Sequence, residues 1–159
     1  MVTYVRVLPA GAKKGRRPAT VIRLDHEGRR KTRQRVTTEA GVEAALWLPR
    51  GTVLIDGDRV AAENGRVAVI AAADEALSEV RCDDPVQLAR AAFHLGNRHA
   101  AIMLSPGRIR YPADRVLDDM LRGLGLAPMA VVGPFEPEGG AYVAVFDAAI
   151  GGVGAPWMP

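Results

Sequence analysis

The chain has 159 residues, 48% of them hydrophobic and 25% charged, with a formal net charge of +3. That is room for one ordinary domain or two small ones, in the composition of a globular protein. No apolar run approaches the roughly 18 residues of a membrane span. The first residues place their charges after a short apolar stretch, the reverse of a secretory signal, so a cytoplasmic protein is expected. Cys82 is the sole cysteine, which excludes an internal disulfide and a cysteine-based zinc site within one chain.

The charge is unevenly spread. Residues 1–35 hold 11 of the 21 Lys and Arg and only two acids, Asp25 and Glu27, leaving 10 basic and 16 acidic residues in the remainder. A basic first part on an acidic second part predicts two units with different partners.

Residues 1 to about 75 read as β-structure. Residues 1–8 alternate, with Tyr4 and Arg6 on one face and Val5 and Val7 on the other. Residues 20–24, 33–37, 44–48, 53–55 and 60–62 are further short strands, punctuated by Glu27-Gly28, Gly41, Pro49-Arg50-Gly51 and Asp56-Gly57-Asp58. Asn64-Gly65 predicts a two-residue hairpin turn into a strand at 67–71, with both residues at positive φ. Short strands at this spacing predict a small sandwich or barrel-like sheet.

Residues 76–146 read as a second unit. A strand at 77–82 is followed by Asp83-Asp84-Pro85, which starts a helix through a capping Asp and a Pro in the first turn. Val86, Ala89 and Phe93 share one apolar face of that helix, with Leu88, Ala92 and Leu95 beside them, and Gly96 is its expected stop. Strands at 101–104 and 108–111 flank Ser105-Pro106-Gly107. Asp114 then caps a second helix whose apolar stripe is Val116, Leu117, Met120, Leu121 and Leu124, ended by Gly125, and 129–132 is a last strand. The order β-α-β-β-α-β is the ferredoxin-like pattern. The fold expected is therefore α+β, an N-terminal small β-domain (1–75) followed by a ferredoxin-like βαββαβ domain (76–146). The Gly- and Pro-rich stretch 147–159 is expected to be a flexible tail.

The candidate chemistry is sparse. His26, between Asp25 and Glu27, reads as a solvated turn residue. His94, beside Phe93, reads as a packing histidine on the first helix. His99 follows the helix stop in Gly96-Asn97-Arg98-His99, on a loop carried by a rigid scaffold. One imidazole holds a divalent metal poorly, but in a twofold dimer a residue near the axis meets its own copy, and two imidazoles suit nickel, copper or zinc. Such an open site favours handing a metal on over storing it. There is no phosphate-binding Gly-rich loop and no His-Glu-x-x-His motif. Asp118-Asp119 point in different directions on a helix and read as solvated charges. The basic stretches 13–17 and 29–35 raise nucleic-acid binding as an alternative. Aromatics are few and the aromatic-rich strand of a ferredoxin-like RNA binder is missing, so a solvated loop or a face for an acidic protein fits better.

The sequence Phe93-His94-Leu95-Gly96-Asn97-Arg98-His99, with Ile109-Arg110-Tyr111, Val116-Leu117-Asp118-Asp119-Met120-Leu121 and residues 134–142 (Pro-Phe-Glu-Pro-Glu-Gly-Gly-Ala-Tyr), resembles the urease accessory protein family UreE. The N-terminal half is similar too, notably through Arg35-Val36-Thr37 and residues 48–58. The resemblance implies an N-terminal β-domain of peptide- or partner-binding type, a ferredoxin-like metal-binding domain, and a homodimer formed through the latter. It implies no enzyme activity, but a metallochaperone that delivers nickel to urease, with His99 from each protomer as the interfacial ligand. His94, Asn97 and Arg98 would support that ligand. The implied partners are the urease apoprotein complex and the GTPase of the same pathway; copper or zinc would occupy the same site in vitro. Two departures matter. Arg115 stands where many members have a histidine before the Val-Leu helix, and residues 151–159 lack the histidines of many members' tails. One metal per dimer is therefore expected. A nucleic-acid-binding module and a metal-independent assembly adaptor are the rival readings.

Overall fold

The computed structural model describes residues 1–9 and 20–139. The basic stretch 13–17 and the expected tail lie outside these. Ten strands and three helices are described, in two sheets: a six-stranded sheet of order β2-β6-β5-β1-β4-β3 and a four-stranded sheet of order β10-β7-β9-β8.

The first sheet contains β1 (Val2–Val7), β2 (Thr20–Leu24), β3 (Arg33–Thr37), β4 (Glu43–Trp47), β5 (Arg59–Ala62) and β6 (Val67–Ala72). β1 runs parallel to β4 and β2 to β6, and the other pairings are antiparallel. Just past β3, the Glu39 N–H donates to the Val21 carbonyl at 2.9 Å, and Arg23 pairs with Glu39 at 2.5 Å. The two edge strands are thereby drawn together and the sheet curls around Tyr4, Ile22, Val36, Leu46, Val60, Ile70 and their neighbours.

Three details depart from the sequence pattern. The register shifts between Tyr4 and Arg6, so Tyr4 enters the core while Arg6 stays exposed, breaking the expected shared face. At the β5–β6 hairpin only Gly65 has positive φ, at 79°. The Ala62 N–H donates to the Arg66 carbonyl and the Gly65 N–H to the Ala62 carbonyl, a three-residue loop in place of the two-residue one. The Asn64 side chain spends its oxygen on the Arg66 N–H. Residues 53–55 form no strand: the Leu54 N–H donates to the Arg29 carbonyl and the Ile55 N–H to the Asp58 carboxylate, so no neighbouring strand receives them.

The turn expected around His26 is a short helix, α1 (His26–Arg30), capped by Asp25, whose carboxylate accepts from the Gly28 N–H at 2.6 Å. A Cβ on Gly28 would lie 2.8 Å from that carboxylate oxygen, so the cap requires glycine here. Arg29 is turned inward and is 2% exposed. Its Nη1 donates to Glu136 Oε1 at 2.7 Å and its Nη2 to the Phe135 carbonyl. Glu136 Oε1 also accepts from the Asp56 N–H at 2.6 Å. Phe135 is fully buried, with the His26 ring edge-on at 5.6 Å, and the His26 N–H donates to Glu75 Oε1. His26 is thus no solvated loop residue. Burial pushes its imidazole below the ordinary range, and the Arg29 and Arg30 charges push the same way.

The second sheet holds β7 (Asp74–Arg81), β8 (Met103–Ser105), β9 (Arg108–Pro112) and β10 (Met129–Pro134), all antiparallel. With α2 (Pro85–Asn97) and α3 (Arg115–Gly123) this is the βαββαβ order, in the 4-1-3-2 strand arrangement of a ferredoxin-like sheet. Val80, Ile109 and Tyr111 point to the helices and pack with Ala91, Leu95 and Leu121. The opposite face carries Glu79, fully buried beneath arginines: Arg81 Nε and Arg110 Nε each lie 2.6 Å from a separate carboxylate oxygen. Burial works to raise the Glu79 carboxyl, but the Arg110 and Arg81 hydrogen bonds outweigh it and hold the group below its ordinary range.

Two measurements test these ion pairs. Arg29→Met leaves Glu136 and a buried carbonyl without their donor and is expected to cost about 3 kcal/mol in urea denaturation. Glu136→Gln, on a half-exposed partner, is expected to cost about 1 kcal/mol or less. Glu79→Gln is expected to cost roughly 2 kcal/mol at pH 7, below the value of a sealed pair because the arginines reach solvent. A depressed folded-state pKa contributes stability that is present above the unfolded-state value and lost as pH falls through the folded-state one. The deficit of Glu79→Gln should therefore shrink as pH falls below the ordinary glutamate value of 4.5; a constant deficit would contradict the assignment.

Candidate metal centre

The site is built by the end of α2. Asp84 starts the helix, its carboxylate accepting from the Val86 and Gln87 N–H groups at 2.9 and 3.4 Å. Leu88, Ala91, Ala92 and Leu95 face the sheet. Val86, Ala89 and Phe93, expected from spacing to form the packed face, point outward instead, with Phe93 64% exposed. The helix carries two apolar stripes, and only one of them can lie on the sheet.

Gly96 does not end the helix, which continues through Asn97. The stop is His99, at φ 56°, the only non-glycine residue with positive φ among the described residues. Its N–H donates to the Gly96 carbonyl at 2.9 Å, and the Ala100 N–H donates to the Leu95 carbonyl at 3.1 Å. These two bonds make a Schellman motif, whose left-handed position is ordinarily filled by glycine. α3 ends in the same way: Gly125, at φ 83°, donates to Arg122 O, and Leu126 N–H to Leu121 O. The end of α3 is tied to the first turn of α2, since Gln87 Nε2 donates to the Leu124 carbonyl at 3.1 Å. Of two equivalent helix ends, one uses glycine and the other a histidine, which costs roughly 1–2 kcal/mol in this conformation.

His99 is exposed, as are Asn97, the last helical residue, and Arg98, the C-cap. His94 is half-buried, its ring edge-on to Phe93 at 5.4 Å. Among the described residues, no three His, Cys, Asp or Glu side chains come together as a metal cluster. Arg115 opens α3 and reaches Asp119 at 3.9 Å. Asp118 is not a solvated charge: its carboxylate accepts the Tyr111 hydroxyl at 2.7 Å. Burial, seconded by Asp118, pushes that phenol well above its ordinary range. Asp118 is thus a support of the sheet, whereas Asp119 is an exposed charge paired with Arg115 and Arg122 along its own helix. Of the basic stretch 29–35, Arg29 is spent in the inter-sheet contact. Sequence reasoning missed Arg29, Glu136 and Glu79; a charge at an otherwise apolar-facing strand position was the one available signal for Glu79.

The helix end yields a stability test. Replacing His99 by Gly relieves the left-handed strain, whereas Ala retains it. His99→Gly is expected to be about 1 kcal/mol more stable than His99→Ala in urea denaturation, and Gly125→Ala to lose about 1 kcal/mol.

Comparison with known proteins follows the same division. Residues 5–73 match the N-terminal domain of the UreE urease accessory protein, and residues 75–149 match its C-terminal domain. A protein named urease accessory protein UreE from Pseudomonas putida (strain W619) is 55% identical over 122 residues, 76% of this chain and 76% of its own length. The protein of that name from Escherichia coli O157:H7 is 51% identical over 122 residues, covering 76% and 79% of the two chains. That from Alkalilimnicola ehrlichii is 47% identical over 143 residues, covering 89% and 85%. With both parts matched and identities near one half, the chain belongs to the UreE family of urease accessory proteins.

Proposed function

We propose that this chain is a nickel metallochaperone, which carries the ion to urease during assembly of its metallocentre and catalyses no reaction. The ion, as cargo, is held between His99 of one protomer and His99 of a second. The carrying observation is the helix end. A histidine occupies a position where glycine would suit the backbone better, and its imidazole is exposed. Strain kept at one residue is a mark of a functional requirement there.

A single imidazole per chain makes the site a shared one, and the outward stripe of Val86, Ala89 and Phe93, leading along α2 to His99, supplies an apolar surface for the second copy. Asn97 and Arg98 flank the ligand on the same turn, and His94 supports Phe93. In this reading residues 76–146 form the metal-binding and dimerisation unit and residues 1–75 the partner-binding unit, with 147–159 as a tail without histidine. The partners are the urease apoprotein complex and the pathway GTPase, in the cytoplasm. The relatives' name, urease accessory protein, supports the urease part of the reading, and no helix among the described residues is long and apolar enough to cross a membrane. Copper and zinc, which imidazole also accepts, compete for the site in vitro, so selectivity comes from supply and partners.

Calorimetric nickel titration with light scattering tests this. The native protein is expected to take one nickel per dimer. His99→Gly should keep both fold and dimer and lose the nickel, and the failure of urease activation should follow. Phe93→Glu should give a monomer that loses tight nickel binding with His99 intact. Unchanged nickel binding in His99→Gly would place the site elsewhere, and unchanged urease activation would favour a metal-independent adaptor.

A further inference from the structure

The face of the second sheet that points away from its helices concentrates positive charge on one point. Glu79 lies buried there with Arg81 and Arg110 at 2.6 Å and Arg108 at 3.7 Å. Three guanidinium groups share one carboxylate, which leaves two positive charges in excess among the described residues. Arg81 and Arg110 hold the carboxylate through Nε, so their outer nitrogens remain for another acceptor. The Arg108 side chain donates no hydrogen bond to a described residue and stands beside the carboxylate at ion-pair distance only. Exposure rises from Arg110 (20%) through Arg108 (33%) to Arg81 (65%), a row of donors running outward from the buried anchor. The Arg110 guanidinium reaches across β7 to β10, where it lies over the buried Gly133; a Cβ there would meet Nη1 at 3.7 Å.

We propose that Arg81, Arg108 and Arg110, gathered and oriented by Glu79, form a docking site for an acidic segment of a partner protein. Guanidinium groups match carboxylates in a two-pronged geometry, and anchoring at one end removes part of the ordering cost of the long side chains. Met129 is cross-strand partner of Glu79 and half-exposed, adding an apolar contact beside the charges. Protein is favoured over nucleic acid by the face itself: its described strand residues include no aromatic on which a base could stack. The site is separate from His99 and independent of the metal.

Fluorescence anisotropy on the full chain tests the proposal, with a fluorescein-labelled peptide of alternating glutamate and leucine as probe. Arg108→Ala, which breaks no hydrogen bond, should keep the native melting temperature and weaken peptide binding about fivefold. Arg81→Ala should weaken it by a similar factor, Arg108→Lys by less, and His99→Gly not at all. Native affinity in both alanine variants would overturn the proposal. So would loss of binding only when Arg33 and Arg35 are replaced, which would move the site to the first sheet. Tighter binding of a single-stranded oligonucleotide with the same Arg108 dependence would overturn the assignment to a protein segment.

Discussion

Arg29 joins the two sheets, and much of the molecule depends on how its charge is accommodated. A guanidinium almost wholly out of water is tolerable only when its donors are met. Here they are met by groups more than a hundred residues along the chain, the Glu136 carboxylate and the Phe135 carbonyl. Around this pair the short helix α1, the stretch from Leu54 to Asp56 and the end of β10 assemble. The Arg29 carbonyl takes the Leu54 N–H, and Glu136 takes the Asp56 N–H. The buried Phe135 ring fills the same junction beside His26, whose pKa burial lowers. The contact is electrostatic in its anchor and apolar in its filling, so losing the anchor also opens the filling to water.

The end of α2 shows the opposite economy, in which a local preference is overridden and the fold tolerates it. Asp84, Pro85 and the Leu95–Ala100 contact do the work of starting and stopping the helix. That surplus is what allows His99 to occupy a glycine position. The same geometry turns the imidazole out at the edge of the outward apolar stripe. Backbone strain and side-chain exposure thus come from one conformational choice.

Much of the architecture was legible in the sequence because it rests on local rules. β2 and β3 fall at their expected residues, and the Asp84 and Asp114 caps and the Gly125 stop act as their types predict. What was not legible depends on choices between equivalents. Both stripes of α2 are apolar, and nothing in its spacing says whether Leu88–Leu95 or Val86–Phe93 meets the sheet. Gly96 and His99 lie three residues apart, and tertiary placement gave the left-handed turn to the histidine. The segment 53–55 has strand composition but spends its N–H groups on Arg29 and Asp58. Arg29–Glu136 and Glu79 with its arginines are pairings between distant residues, and one sequence carries no trace of such distances. The importance of His99 came from the Gly-Asn-Arg-His resemblance; composition alone would have left it one of three histidines.

The thread between Arg29 and Glu136 also sets a timetable. Synthesised from the N-terminus at about 5–20 residues per second, α1 leaves the ribosome some 5–20 s before the residues that neutralise it, because 107 positions separate the partners. Through that interval the nascent first sheet carries an arginine with no designated acceptor and an empty place for a phenylalanine. Its final docking therefore waits for Phe135 and Glu136, and these residues just past β10 act as the clasp that closes a structure begun much earlier in the chain.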